Sequence, residues 1–421
     1  TNTPRRITFR NFIFDGGFSA LGATVTIADS TLNAGVVLGA ADDSTISNST
    51  LNAGLIVNGG DNITVSDSTL NGGVVVSGAT GVTINDSALG AGSGGGVIVM
   101  GGGEASLVAE SSSVTVQNST LSGSVDVNQA SVIIGGTAGN DTVQVRLLGE
   151  GKGTITVAGG AGDDTLAVDF GNAGPAAQGA ITFDGGAGYD VMEFRGGTFN
   201  NAVYTPTGPD SGAIDFDAWR IVYDNIEPIT DTSFAASVTF SGTDSADTIS
   251  IVDGTIENGF QTILIQSGGT FESIKFANKT KVVVDGGNDD DTYTLNISQA
   301  AAGLSSLTIS DDDGGDSVTV GGYFADASLS ISLKSDDAWK DTVTVVGSLS
   351  LNGAALSIDA ETVTVNANVT ISTRQVNVGG VSIGNSGDIT IKGEKITIKP
   401  GAQLLAHVEA GSGYQAGNIT L

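Results

Sequence analysis

The residues of this chain best suited to chemistry are aspartates, and they recur in glycine-rich turns. GGTAGNDTV (135–143), GGAGDDTLA (159–167) and GGAGYDVME (185–193) form one set. SGTDSADTISI (241–251), DGGNDDDTYTL (285–295) and DDDGGDSVTV (311–320) form a second. In a G-G-x-G-x-D turn the glycines admit a left-handed backbone and the carboxylate faces a cation. Ca2+ takes hard oxygen ligands, which the carboxylates and carbonyls of close turns supply. The candidate ligands are Asp141, Asp163, Asp164, Asp184 and Asp190 in the first set. Asp285, Asp289, Asp290, Asp291, Asp311, Asp313 and Asp316 are those of the second.

Spacing says how the turns sit. Asp141, Asp164 and Asp190 are 23 and 26 residues apart, and Asp291, Asp316 and Asp341 are 25 and 25 apart. Each repeat therefore contributes one turn, and the turns stack in a column. Carboxylates stacked about 4.8 Å apart repel one another, and calcium held between successive turns relieves that repulsion. The competing reading is an ordinary turn whose Asp is solvated and bonds its own backbone. For Asp247 and Asp341, whose turns lack the glycines, the ordinary turn is the expectation.

Other chemistries find little support. With no cysteine, thiolate sites are excluded, and a single histidine, His407, with no partner histidine argues against His-ligated metals and His-based triads. From Asn11 to Val145 there is no Lys, Arg or His, so a lyase or epimerase there lacks a side-chain cation for a developing uronate anion. Hydrolysis needs two carboxylates, and Asp42, Asp43, Asp61, Asp67 and Asp86 are available. Asp67 and Asp86, however, continue a repeat column begun by Asp29 and Asn48. A polysaccharide-acting enzyme is thus the alternative, and a non-enzymatic protein the expectation. An outward threonine column (Thr26, Thr45, Thr64, Thr83) raises ice binding as a third reading, but it has one Thr per strand where paired rows are wanted.

The elements that must carry these turns repeat on a fixed ruler. Leu32, Leu51, Leu70 and Leu89 are 19 residues apart, followed at the same step by Asn33, Asn52 and Asn71. Ile27, Ile46, Val65 and Ile84 form a second apolar column. Repetition at this period marks a solenoid whose repeats bury their apolar faces against each other. Gly, Asn, Ser, Thr and β-branched residues are poor helix formers and good strand and turn formers. The apolar runs Val36 to Leu38, Leu55 to Val57 and Val74 to Val76 are too short for helices. These features predict an all-β, right-handed parallel β-helix, a β-solenoid in which Asn33, Asn52 and Asn71 form an amide ladder. The step from Leu89 to Leu121 is 32 residues, so one repeat carries a Gly/Ser-rich insertion; such a loop is more often filler, and affinity for a ligand, if any, is expected along the solenoid face or in the 90–113 loop.

The 421 residues divide by composition. Residues 1–133 form an Asn-laddered β-helix whose Phe9, Phe12, Phe14 and Phe18 plug its first end. Residues 134–230 form an Asp/Gly-rich segment, 231–323 a second acidic module, and 324–421 a less acidic strand-rich segment. A net charge of −30 argues against nucleic acid or an anionic membrane surface as partner. No run approaches a membrane span. A start at Thr1 without Met or a signal-like core, and an end within the motif GNITL, fit a mature or excised segment.

At these residues the chain resembles the large repeat-built surface proteins of Gram-negative bacteria. GGAGDDTLA looks like the RTX calcium-binding repeat, and NSGDITIKGEKITIKPGAQLLA resembles the β-helix of filamentous-haemagglutinin-type adhesins. The modules from Gly135 to Tyr323, with IEPITD and GGTFESIKF, look like repeats of giant proteins with a LEPR-XLL sorting signal. The resemblance implies an extracellular, cell-surface, calcium-associated β-solenoid of structural or adhesive role. Copies or adjacent repeats joined end to end, and cell-surface glycans, are the partners it implies. The chain departs from tandem RTX arrays in carrying one such turn per repeat.

Overall fold

The structure is a computed structural model describing residues 5–90, 105–110, 112–117, 120–121, 124–147, 152–311, 313–333, 340–376, 380–409 and 411–421. Most of the insertion expected over 90–113 lies outside the described residues. All regular structure is β, with no helix among the described residues.

Each 19-residue repeat folds as short strands on three sheets, and every strand pairs in parallel with its counterpart in the next repeat. Thr26, Thr45, Thr64, Thr83 and Thr115 are successive partners on one sheet. Leu32, Leu51, Leu70 and Leu89 are partners on the second, and Val36, Leu55, Val74 and Leu107 on the third. Register holds because a slip of one residue would turn each inward Val, Ile or Leu to solvent. Ile27, Leu38, Leu51, Val65 and Val76 are buried, and each stabilises the stack by ~1.5–3 kcal/mol. Like-over-like parallel pairing is compatible with a β-solenoid.

The expected amide ladder is present. Asn71 Nδ2 donates to Asn52 Oδ1 and Asn52 Nδ2 to Asn33 Oδ1, each at 2.8 Å. Asn33 extends it to Asp15 at 2.7 Å. A second ladder lies inside. Ser30, Ser49 and Ser68 backbone N–H groups donate to the hydroxyls of Ser49, Ser68 and Ser87 at 3.1, 3.2 and 3.2 Å. Each of the hydroxyls of Ser30, Ser49, Ser68 and Ser87 donates to the carbonyl two residues before it. The turn before each serine has Asp29, Asn48, Asp67 or Asp86 at positive φ, a conformation that short polar side chains tolerate. That accounts for Asp67 and Asp86 as turn residues.

Phe9 packs on Phe12, Phe14 and Phe18 with ring centroids 5.0–5.9 Å apart. The chain forms two compact units: Thr1–Thr198 with Asp217–Glu227, and Phe199–Phe216 with Pro228–Leu421. In the second, the parallel order is interrupted by an antiparallel excursion, Thr248–Glu257 against Phe260–Gln266, which returns along Ile274–Phe276.

Candidate metal centre

The aspartates of the glycine-rich turns stand in two columns, one in each unit. In the first unit, the backbone N–H of Asp141 donates to Asp164 Oδ1 and that of Asp164 to Asp190 Oδ1, both at 2.7 Å. The N–H of Asp190 turns to Glu227 Oε2 at 3.4 Å. In the second unit the same step runs Asp247 to Asp291 to Asp316 to Asp341, at 2.6, 2.8 and 2.9 Å. It too turns to a glutamate, Glu361, at 3.1 Å. The expectation that Asp247 and Asp341 are solvated is therefore corrected, while Asp247 does bond its own turn, as an ordinary turn would, through the Thr243 N–H. Both are buried and belong to the column. Peptide N–H groups set their position, and Asp247 keeps Gly242 five residues before it, where a Cβ would overlap Asp247 Oδ2.

Each column opens on a threonine. Thr137 donates its N–H to Asp141 Oδ2 at 2.6 Å, and Thr243 does the same to Asp247 Oδ2 at 2.7 Å. Further along, the second carboxylate oxygen loses this donor. Asp164, Asp190, Asp291 and Asp316 have buried Oδ2 atoms with no hydrogen-bond partner. Leaving one such acceptor unmade costs about 1–3 kcal/mol, more when it is charged. Glycine five residues before the column Asp makes the geometry possible. A Cβ at Gly159 or Gly286 would overlap Asp164 Oδ2 or Asp291 Oδ2.

The repeat of Asp316 breaks that rule, because Asp311 stands where the other described turns have glycine. Among the described residues, Asp291, Asp311 and Asp316 form one group whose carboxylate oxygens lie within 4.8 Å of one another. All three are buried. Asp311 accepts the Tyr293 hydroxyl at 2.7 Å. Burial, and then the neighbouring carboxylates, push Asp291 up to about 8 and Asp316 up to about 7, each partly offset by its backbone N–H donor. Burial likewise raises Asp311, against the hydrogen bond from Tyr293, and raises Tyr293 itself. In the first unit Asp164 is raised by burial and by Asp190, with the Asp141 N–H opposing.

The remaining candidates lie outside the cluster. Asp163 Oδ1 accepts the Tyr189 N–H at 3.0 Å and Asp290 Oδ1 the Gly315 N–H at 2.8 Å, both on the exposed flank. Asp184 accepts Asn225 Nδ2 at 2.8 Å. Asp285 bonds Gly287 at 3.3 Å, Asp289 sits in a turn at φ 70, and Asp313 is exposed. Asp141 is satisfied by Thr137. The sequence carried a signal for the columns' ends in the T-x-x-x-D spacing of Thr137 with Asp141 and Thr243 with Asp247. It carried none for Glu227, Glu361 or Tyr293, which arrive from other repeats or through the core.

The cluster fits a hard divalent cation on three counts. Its donors are all oxygen. Oxygens bound to one Ca2+ at about 2.4 Å are at most about 4.8 Å apart, and two buried oxygens have no other partner. No family model matches the chain, and no curated protein or solved structure matches it either.

Proposed function

We propose that the chain is a non-enzymatic structural or adhesive β-solenoid of a bacterial cell surface, right-handed, whose aspartate turns are rigidified by Ca2+. The observation that carries this reading is the buried Asp291–Asp311–Asp316 group at the centre of a ladder of stacked turns. A cation there would neutralise carboxylates that burial otherwise keeps protonated, and would tie the repeats of Asp291 and Asp316 together. The columns of Ser, Asn and Asp hydrogen bonds run from repeat to repeat and suit a load-bearing role. Calcium abundance outside the cell supports the extracellular assignment, and stacking of like on like supports end-to-end association of copies or adjacent repeats. Surface glycans are the adhesion partners of this reading.

The test is a thermal melt of the full chain in excess EGTA and in millimolar Ca2+. A site filled at 100 times its dissociation constant adds about 2.7 kcal/mol, so the second unit should melt several degrees higher in calcium. Equal melting in both buffers would sink the calcium assignment and leave the scaffold reading on its ladders alone. Release of sugars from a purified uronate and neutral glycan panel would refute the non-enzymatic reading.

A further inference from the structure

A second buried charged group lies in the same unit as the Asp291 cluster and plays no part in it. Lys279 and Asp231 are both fully buried, with Nζ 3.0 Å from Asp231 Oδ2. Every polar atom of the pair is held. Lys279 Nζ donates to the Ser233 carbonyl and, at 3.3 Å, to Ser233 Oγ. Asp231 Oδ1 accepts the Ser233 N–H at 2.8 Å, and Asp231 Oδ2 accepts the Tyr204 hydroxyl. The surroundings are aromatic. Tyr204 stacks on Phe240 at 4.6 Å, Phe240 meets Phe276 at 5.1 Å, and Phe216 sits edge-on to Tyr204 at 6.2 Å.

An ion pair in such a setting is expensive, because each ion loses several kcal/mol of solvation. Burial lowers the Lys279 pKa, with Asp231 opposing. One proton moved across the contact converts ammonium and carboxylate into amine and carboxylic acid, the two reactants of amide formation. The amine is fixed 3.0 Å from a carboxyl oxygen of Asp231, and pre-set geometry of this kind is worth an effective molarity of ~10⁵–10⁸ M. The Ser233 N–H on Oδ1 is placed to stabilise the oxyanion of a tetrahedral adduct. The Tyr204 hydroxyl on Oδ2 is placed to assist that oxygen as it leaves.

We propose that Lys279 and Asp231 condense to an intramolecular isopeptide bond, a covalent clasp across one repeat of the second unit. Nζ bonds to Cγ of Asp231, the Cγ–Oδ2 bond breaks, and the departing oxygen takes one amine proton to leave as water. Nζ keeps one hydrogen, and no oxidant or other reactant is consumed. The clasp closes the loop that contains the antiparallel excursion, since Asp231 pairs with Phe276 and Ala235 with Lys279 on adjacent strands. It replaces two buried charges with one neutral amide, and it does not depend on calcium.

Intact mass of the purified, denatured full chain tests this directly. The expected mass is about 18 Da below that of the sequence, one water per chain, with a branched peptide joining the segments of residues 231 and 279 after proteolysis. Succinimides at Asp15–Gly16, Asp184–Gly185, Asp253–Gly254, Asp285–Gly286 or Asp313–Gly314 would lose the same mass, but hydroxylamine opens them and leaves an amide intact. Lys279→Arg keeps the charge and removes the nucleophilic amine, so it should show the full mass. Wild-type chain at full mass, a deficit erased by hydroxylamine, or a deficit persisting in Lys279→Arg would each overturn the proposal. The wild-type measurement decides even if the variant fails to fold.

Discussion

Replacing Asp311 by glycine, the residue at the matching place in the other described turns, isolates the carboxylate cluster. Asp291 and Asp316 have native pKa values of about 8 and about 7 against an ordinary 3.8. The folded chain therefore holds protons that the unfolded chain has released. Stability from this source is fully present below about pH 4 and is lost as pH rises through 7 and 8. Four units at Asp291 bound its contribution at ~6 kcal/mol, and water admitted to the turn on ionisation screens this to ~2–3 kcal/mol. That corresponds to roughly 5–10 °C for a unit of this size. Melts in EGTA between pH 4 and 9 should show this fall for the wild type. Asp311 raises both neighbours, so Asp311→Gly should move the fall to lower pH and make it shallower, and millimolar Ca2+ should no longer raise its melting temperature. A variant whose pH profile and calcium response match the wild type would refute the cluster as a proton or cation site.

Five further outcomes follow from the same contacts. Gly286→Ala drives a Cβ into Asp291 Oδ2 and Tyr293 Oη and should cost about 2–3 kcal/mol in urea unfolding. Gly259→Ala has positive φ but open space and should cost only about 1 kcal/mol. Ser68→Ala strips the acceptor from the buried Ser49 N–H and should cost about 1–3 kcal/mol, whereas Asn52→Ala on the exposed ladder should cost under about 1 kcal/mol by the same urea titration. Asp316→Asn keeps the Oδ1 acceptor but removes a charge, so calcium titration followed by calorimetry should lose its heat while the strand signal in circular dichroism persists.

Much of the fold was legible because its physics is local and periodic. A 19-residue step with inward Leu, Ile and Val leaves parallel stacking as the arrangement that buries every repeat, and Asn over Asn follows from that register. The serine ladder was equally visible in ADST, SNST, SDST and NDSA, although serine's preference for turns hides its inward role. The Asp columns were readable as spacing alone. Asp247 and Asp341 were misjudged because a turn read alone does not show the contact between repeats: Asp247 donates its N–H to Asp291, and Asp341 accepts the N–H of Asp316. Asp311 entered the cluster because a carboxylate replaced the glycine beneath a neighbour's Oδ2, a contact between repeats. Lys279, Asp231 and Tyr204 had no sequence pattern at all. Composition and period settle how a repeat stacks; which polar groups end up dry, and beside what, depends on side chains brought together from distant repeats and on the water that their packing excludes.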